Sequence, residues 1–501
     1  MSKVVKLILA FAFSVVLSAL LAYEVTLPVT DETGASIANF WCSIVNCTNL
    51  EAINSFNMRT GQFVSLGAFL ILVATMIISD EHRFLVAICS VAVLIFFAII
   101  PPDKLLDAVE WGLILFLIGS MSFAYILKKM KVFRYISIKL LGASRGNPYV
   151  LTMLVGLFSW FLATVVDEVT SIIYAVMLLE DIYRVTKVDI KPMAVFAVLS
   201  TNIGSLALPV GNPIGVYIAF TAGLTVNQFL RNALPLSLLL LVVTVSLFIG
   251  TQRAYLHELG KGISIEKIRM LTETFISDIG GRRERALLNI GTGLLFAFFI
   301  TVGLNDAIAE LLTHLTGTPI NPHSLLPFIP FPFVALASIV ARPSLHTALE
   351  RGVEWPSLVF FMSLFMMGSS LLWTGVTPKI AFLSEQLAIL LFGNIGSVHL
   401  ILEVVAASMS SVLDNLSVIV AFTGVAKTIE HLTGVSKVYW ALLYGGVIGG
   451  NYTPVGSTAN LIALAMLSKK FKISWGMWLK IAVMITTIQL AISMVWWTYM
   501  I

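Results

Sequence analysis

STNIGSLALPVGNP, residues 200–213, and GGNYTPVGSTAN, residues 449–460, interrupt two otherwise apolar runs, 193–222 and 438–467. Glycine admits positive φ and proline removes a backbone donor, so each stretch unwinds a helix in mid-run. Unwound backbone is tolerated at membrane depth only where it lines a cavity or is buried in protein. A single such stretch reads as a proline kink repaired by Ser and Thr hydroxyls. Two matched stretches, at corresponding places in a duplicated chain, read as the cradle of a secondary transporter.

The duplication runs outward from them. Val109-Glu110-Trp111 returns as Val353-Glu354-Trp355, and Asp167-Glu168-Val169-Thr170 as Asp414-Asn415-Leu416-Ser417. Ile203-Gly204 with Pro209-Val210-Gly211 returns as Ile448-Gly449 with Pro454-Val455-Gly456. Leu224-Thr225 with Phe229-Leu230-Arg231 returns as Ile473-Ser474 with Trp478-Leu479-Lys480, so the offset stays between 353 − 109 = 244 and 473 − 224 = 249.

Composition sets the solvent. The 501 residues are 58% hydrophobic and only 12% charged, against roughly 25% charged in a soluble domain. So much apolar surface requires the bilayer as partner. The net charge of +4 is spread over short connections, which excludes a nucleic-acid role. No Walker A loop, HExxH spacing or nucleophile–base pair is present, so neither ATP hydrolysis nor intramembrane catalysis is read here. Cys42 and Cys47 share a polar loop and pair if it faces an oxidising side; two unpaired thiols are the alternative. Cys89 reads as packing.

Runs able to cross about 30 Å of hydrocarbon lie near 4–23, 61–79, 83–100, 111–127, 193–222, 231–251, 286–304, 323–342, 355–375, 438–467 and 475–500. The stretches 147–182 and 378–425 carry polar residues in mid-run, and each is read as containing a re-entrant hairpin. Residues 128–146 hold Lys128, Lys129, Lys131, Arg134, Lys139 and Arg145 with no acid, and 252–286 hold seven Lys and Arg, so both are read as cytoplasmic. Residues 24–60, with Glu24, Asp31, Glu32 and Glu51 against Arg59, are read as exterior. Residues 1–23 are read as an uncleaved first helix, a signal peptide being the alternative.

The resulting expectation is an all-α polytopic membrane protein with two inverted-topology repeats. It has eleven transmembrane helices, two opposed re-entrant hairpins and broken helices at the midplane. Its parts are 1–60, an N-terminal helix and exterior loop; 61–251, the first repeat; 252–285, a cytoplasmic linker; and 286–501, the second repeat. The N-terminus is then cytoplasmic, the C-terminus exterior, and the location the plasma membrane.

Asp167, Glu168 and Thr170 in FLATVVDEVTSII, residues 161–173, match Asp414, Asn415 and Ser417 in SSVLDNLSVIV, residues 410–420. Ionisable groups at membrane depth are costly and mark ion or proton sites by default, and helix capping is the bland alternative. These six residues are read as the ion or proton coupling set. The cradle is read as Thr201, Asn202, Gly204, Ser205, Pro209, Gly211 and Asn212 with Gly449, Gly450, Asn451, Thr453, Pro454, Gly456, Ser457 and Asn460. Freed carbonyls suit Na+ and half-helix N-termini suit anions. Asp167, Asn202, Asp414 and Asn451 are the candidate Na+ ligands. No cofactor beyond the coupling ion, Na+ or H+, is implied.

At these residues the chain resembles the ion transporter superfamily, most nearly the group of arsenite permeases, sodium/proton antiporters and the melanosomal P protein. The divalent-anion/sodium symporters are more distant. That group's hairpin pattern Asp-Asn-Val-Thr is similar to residues 167–170 and 414–417. Its two broken-helix patterns are similar to residues 201–215 and 449–460. The resemblance implies a scaffold domain and a transport domain, homodimers, and an elevator-like shift. Glu168 replaces the usual Asn, Asn212 stands where many relatives have Asp, and Ser205-Leu206-Ala207-Leu208 replaces Gly-Thr-Ala-Thr.

The leading expectation is an ion-coupled carrier of a small inorganic solute, arsenite or a related oxyanion. Na+/H+ antiport is the alternative, and Na+-coupled dicarboxylate transport ranks below it. An accessory ATPase in trans is a further partner to consider.

Overall fold

The computed structural model describes residues 3–78, 83–278, 281–341, 345–468 and 470–499, and every regular element among them is helical. In chain order the principal helices are α1 (Lys3–Ala19), α2 (Glu32–Val45), α3 (Phe56–Ile78), α4 (Arg83–Phe96), α5 (Trp111–Lys129), α6 (Val132–Ala143) and α7 (Pro148–Val165). Then come α8 (Glu168–Thr186), α9 (Lys191–Gly204), α10 (Pro213–Ala222), α11 (Val226–Thr251), α12 (Arg282–Gly303) and α13 (Pro322–Ala341). The last are α14 (Trp355–Trp373), α15 (Val376–Phe392), α16 (Val398–Ser410), α17 (Asn415–Thr433), α18 (Lys437–Gly449), α19 (Thr458–Leu467) and α20 (Trp475–Tyr499).

Among the described residues nine helices are long and apolar enough to cross a membrane: α3, α5, α7, α11, α12, α13, α14, α17 and α20. The chain is an all-α, multi-pass membrane protein. Seven of the nine are among the eleven expected runs, α7 and α17 lie in the expected hairpins, and the other four runs fall short of single spans for a geometric reason. The runs 193–222 and 438–467 are each split, into α9 and α10 of 14 and 10 residues and α18 and α19 of 13 and 10. At about 1.5 Å per residue no such piece spans the hydrocarbon alone. The runs near 4–23 and 83–100 carry the shorter apolar helices Ala10–Glu24 and Arg83–Phe96.

Within the stretch 378–425 the second hairpin begins with α16. Gly393, at φ +72°, ends α15, and Asn394 starts the next turn by accepting from the Ser397 amide at 3.0 Å. Positive φ at glycine carries no Cβ penalty, so the chain turns there. It bends by 110°, and the hairpin consists of α16, residues 411–414 and α17. The first hairpin is α7, Val166-Asp167 and α8.

The helices gather into two compact units, each drawing on both halves of the sequence. One contains residues up to Trp111, Trp355–Gly450 and the chain from Met494 onward. Within it α16 lies along α18, because a β-carbon at Gly445 or Gly449 would collide with the backbone of Glu403 or Ala407. Glycines four residues apart present one bare face, which lets helices touch backbone to backbone. The loop between α1 and α3 has a small core of its own, Leu27, Ile37, Trp41 and Ile53, and Cys42 and Cys47 form a disulfide. Trp41 Nε1 donates to the Trp373 carbonyl at 2.9 Å. Cys89 is exposed on α4 and does not pack inward.

The other unit contains Gly112–Glu354 and Asn451–Ser493. Its centre is α9, buried from Pro192 to Gly204 and surrounded by α7, α8, α11 and α19. Gly204 presses on the backbone of Trp160 in α7, as Gly449 does on Ala407 in α16.

Candidate functional site

At the first hairpin tip Asp167 takes an extended conformation and caps α8, its Oδ1 accepting from the Thr170 amide at 2.7 Å. Capping satisfies one of the free N–H groups that begin every helix. Asp167 and Thr170 are half-buried and Glu168 is buried. Below the tip Ser171 Oγ donates to the Ser159 carbonyl at 2.7 Å and lies 3.4 Å from Thr201 Oγ1, which ties both hairpin arms to α9.

The second tip is built differently. Asp414 precedes α17 without capping it through its side chain. Asn415 Oδ1 instead accepts from Ser410 Oγ at 2.6 Å, and Ser417 Oγ reaches Met76 Sδ at 3.5 Å. Gly449 and Gly450 belong to this same unit.

The first break, residues 205–212, is buried throughout. The carbonyls released at the end of α9 are all occupied. Ser205 Oγ donates to the Asn202 carbonyl at 2.8 Å, Ser237 Oγ to that of Ile203 at 2.7 Å, and Thr164 Oγ1 to that of Gly204 at 2.9 Å. Trp160 Nε1 in turn donates to Ser237 Oγ at 2.7 Å. Asn212 caps α10 by accepting from the Gly215 amide, and its Nδ2 donates to Ser205 Oγ at 2.8 Å. Gly211 is required because a β-carbon would sit 2.7 Å from the Ala163 carbonyl oxygen. Pro209 lies in a turn of 3-10 helix, Pro209–Gly211.

The second break leads from Gly450 to Ser457, which caps α19 by accepting from the Asn460 amide at 3.3 Å. The Asn451 carbonyl accepts from Trp478 Nε1 at 3.0 Å, and that of Thr453 from Asn460 Nδ2 at 2.8 Å. Pro454 and Gly456 are buried, while Tyr452 and Thr453 are half-buried.

The two breaks meet inside the second unit. Asn202 Nδ2 donates to Asn451 Oδ1 at 2.7 Å and Asn460 Oδ1 at 3.1 Å, and lies 3.3 Å from Ser457 Oγ. Ser457 Oγ donates to Asn460 Oδ1 at 2.7 Å. All four residues are at most 1% exposed. The network continues from Asn451 Nδ2 to Gln489 Oε1 at 3.4 Å, and from Gln489 Nε2 to Thr244 Oγ1 at 2.7 Å. These side chains are neutral and offer amide hydrogens and oxygens alike, so they suit either an oxyanion or a hard cation.

The structure thus brings together Thr201, Asn202, Ser205, Asn212, Asn451, Thr453, Ser457 and Asn460 of the expected cradle in one unit, with Asp167, Glu168 and Thr170. It places Asp414, Asn415 and Ser417 with the other. Gln489, Thr244, Trp478, Ser237, Thr164 and Trp160 were not singled out from the sequence. Gln489 has a legible signal, as a fully buried amide in the middle of the apolar α20.

The family described as citrate transporter, CitMHS, matches residues 70–445. An uncharacterized transporter of Mycobacterium tuberculosis is 26% identical over 435 residues, covering 84% of this chain and 94% of that protein. The P protein of Homo sapiens is 24% identical over 458 residues, covering 78% of this chain and 54% of that protein. Among solved structures the YdaH transporter of Alcanivorax borkumensis, described as having an unusual topology, aligns with a TM-score of 0.54 at 12% identity. That alignment covers 89% of this chain and 98% of the other, a likeness of fold.

Proposed function

Because the chain belongs to the CitMHS citrate-transporter family, we propose that this membrane transporter couples movement of a small oxyanion to inward-directed H+ or Na+. The observation that carries the reading is the buried Asn202, Asn451, Ser457 and Asn460 cluster joining the two helix breaks. Amide hydrogens and the N-termini of α10 and α19 favour oxygen-rich anions. An inorganic oxyanion of the arsenite kind fits a cradle of amides and hydroxyls. A tricarboxylate is the second reading, favoured by the family's own description.

Asp167, Glu168 and Asp414 are assigned the coupling ion. Within the cradle's own unit the carboxylates of Asp167 and Glu168 repel an anion, so cation or proton loads first and the anion follows. Loading neutralises the first hairpin tip and lets the loaded unit cross in an elevator-like step, in a homodimer at the plasma membrane with the N-terminus inside and the C-terminus outside. Oxygens of Asn202 and Asn451 are the further candidate Na+ ligands.

The test is transport by the purified chain in proteoliposomes containing a pH-sensitive dye, with Asp414→Asn as control. Arsenite flux driven by a proton gradient supports the inorganic reading. Citrate flux under the same gradient selects the carboxylate. Na+-evoked proton flux without any anion replaces both with antiport, and silence toward all three overturns the proposal.

A further inference from the structure

Glu403 belongs to none of the motifs above. It lies on α16, the first arm of the second hairpin, and is fully buried. Gly445 of α18 presses on its backbone, and the buried Tyr444 beside that glycine is within electrostatic range of its carboxyl. One helical turn earlier on α16 stands His399, 1% exposed. Its Nδ1 is 2.9 Å from the Gly396 carbonyl oxygen and its Nε2 is 3.1 Å from Thr498 Oγ1. Residues four apart on a helix share a face, so one side of this arm carries two titratable groups in succession.

Other ionisable groups stand on the helices packed against α16: Lys379 and the buried Glu385 on α15, Lys427, Glu430 and His431 on α17, and Lys437, Tyr439 and Tyr444 on α18. On α18, Lys437 lies toward His399, while Tyr439 donates to Glu430 of α17 at 2.9 Å. On α15, Lys379 donates to Gln62 Oε1 at 2.7 Å and to the Ala22 carbonyl at 3.1 Å. The duplication also sets Glu403 apart. Its counterpart in the first hairpin is Gly156 (403 − 247 = 156), and that of His399 is Thr152, which bonds its own helix at Pro148. An acid buried in a span without a counterpart in the matching arm is not demanded by the shared frame, and ionisable groups at this depth mark proton routes by default.

We infer that Glu403 is a proton-carrying site of the second hairpin, reached through His399. Its carboxyl takes up one proton by way of the imidazole and returns it after the transport step; only O–H and N–H bonds form and break. This rests on the cation-coupled reading and names the proton as one coupling ion.

The test uses the full chain in proteoliposomes, comparing wild type with Glu403→Gln and His399→Gln. Solute exchange without a gradient and proton-driven accumulation are both followed across pH. For Glu403→Gln we expect exchange to survive, the pH profile to flatten, and proton-driven accumulation to fall about tenfold or more, as for loss of one proton-transferring group. Infrared difference spectra between acid and alkaline pH should lose a carboxyl band in the same variant. If Glu403→Gln keeps the wild-type pH profile and the infrared band, the inference is overturned. Wild type coupled to Na+ alone also overturns it, while leaving the carrier reading intact. Wild type that moves no solute removes the carrier reading, and the infrared band then decides Glu403 separately. Should Glu403→Gln not fold, Glu403→Asp is expected to displace the pH profile, and an undisplaced profile counts against the site.

Discussion

The two broken helices share one frame and differ in what fills it. Each first half stops at a glycine touching the backbone of its hairpin arm, Gly204 on Trp160 and Gly449 on Ala407. Each second half resumes under a polar cap, Asn212 before Pro213 and Ser457 before Thr458. Between them the first break carries Leu206, Ala207 and Leu208, all fully buried. The second carries Asn451, Tyr452 and Thr453 at the same places, two of them half-buried. The first break is therefore an anchored wall, with its loose carbonyls taken by hydroxyls. The second presents its polar groups to Asn202 and to partial exposure. Duplication preserved the backbone solution and left one copy free to specialise.

The frame itself is the most sensitive part. Gly204→Val and Gly449→Val each force a branched side chain into a neighbouring backbone, and overpacking of this kind costs about 1–3 kcal/mol or more. Both variants are expected to lose the monodisperse, thermally stable protein in size-exclusion and melting assays. A tolerated Gly204→Val beside a lethal Gly449→Val breaks the equivalence of the two frames.

A difference in KM separates wall from reader. Asn202→Leu strands the buried acceptor on Asn451, while Asn460 Oδ1 keeps the Ser457 hydroxyl, at about 1–3 kcal/mol for the unsatisfied group. Solute transport should fall about tenfold or more, with a raised KM in the residual flux. Leu206→Ala opens a cavity worth about 2–5 kcal/mol, so its Tm should drop while its KM stays near wild type. Equal KM changes in both variants contradict the division of roles.

The smallest expected effect on stability lies at the hairpin tips. Asp167→Asn keeps a capping side chain and should leave Tm nearly unchanged, whereas Asp167→Ala should lose about 1 kcal/mol. Asp414→Ala removes no cap and should be milder in melting than Asp167→Ala. Cation-dependent flux should fall in all three. A Tm loss at Asp414 as large as at Asp167 removes the contrast between the tips.

Much of this was legible from the chain. Glycine and proline punctuate wherever they stand, so both breaks are visible without coordinates, and Asp167-Glu168 in an apolar run marks the first hairpin tip. The stretch 378–425 was read as containing the second hairpin without fixing where it starts, because the apolar run through α15 and α16 hides a bend carried by Gly393 and Asn394. Of the eleven runs seven are single long apolar helices; 193–222 and 438–467 are split at their breaks, those near 4–23 and 83–100 carry shorter apolar helices, and the other two of the nine, α7 and α17, are hairpin arms.

Local chemistry determined what this chain must be by itself. An apolar composition requires a bilayer and helices, a repeated landmark order requires two related halves, and helix-breaking residues in mid-run require backbone groups that seek partners. Which partners they found depended on contacts between residues far apart in sequence. Asn202 meets Asn451 across 249 positions and Gln489 meets Thr244 across 245. Single-chain periodicity carries no term for such pairs; only packing of one helix against another selects the amide that fills a given place.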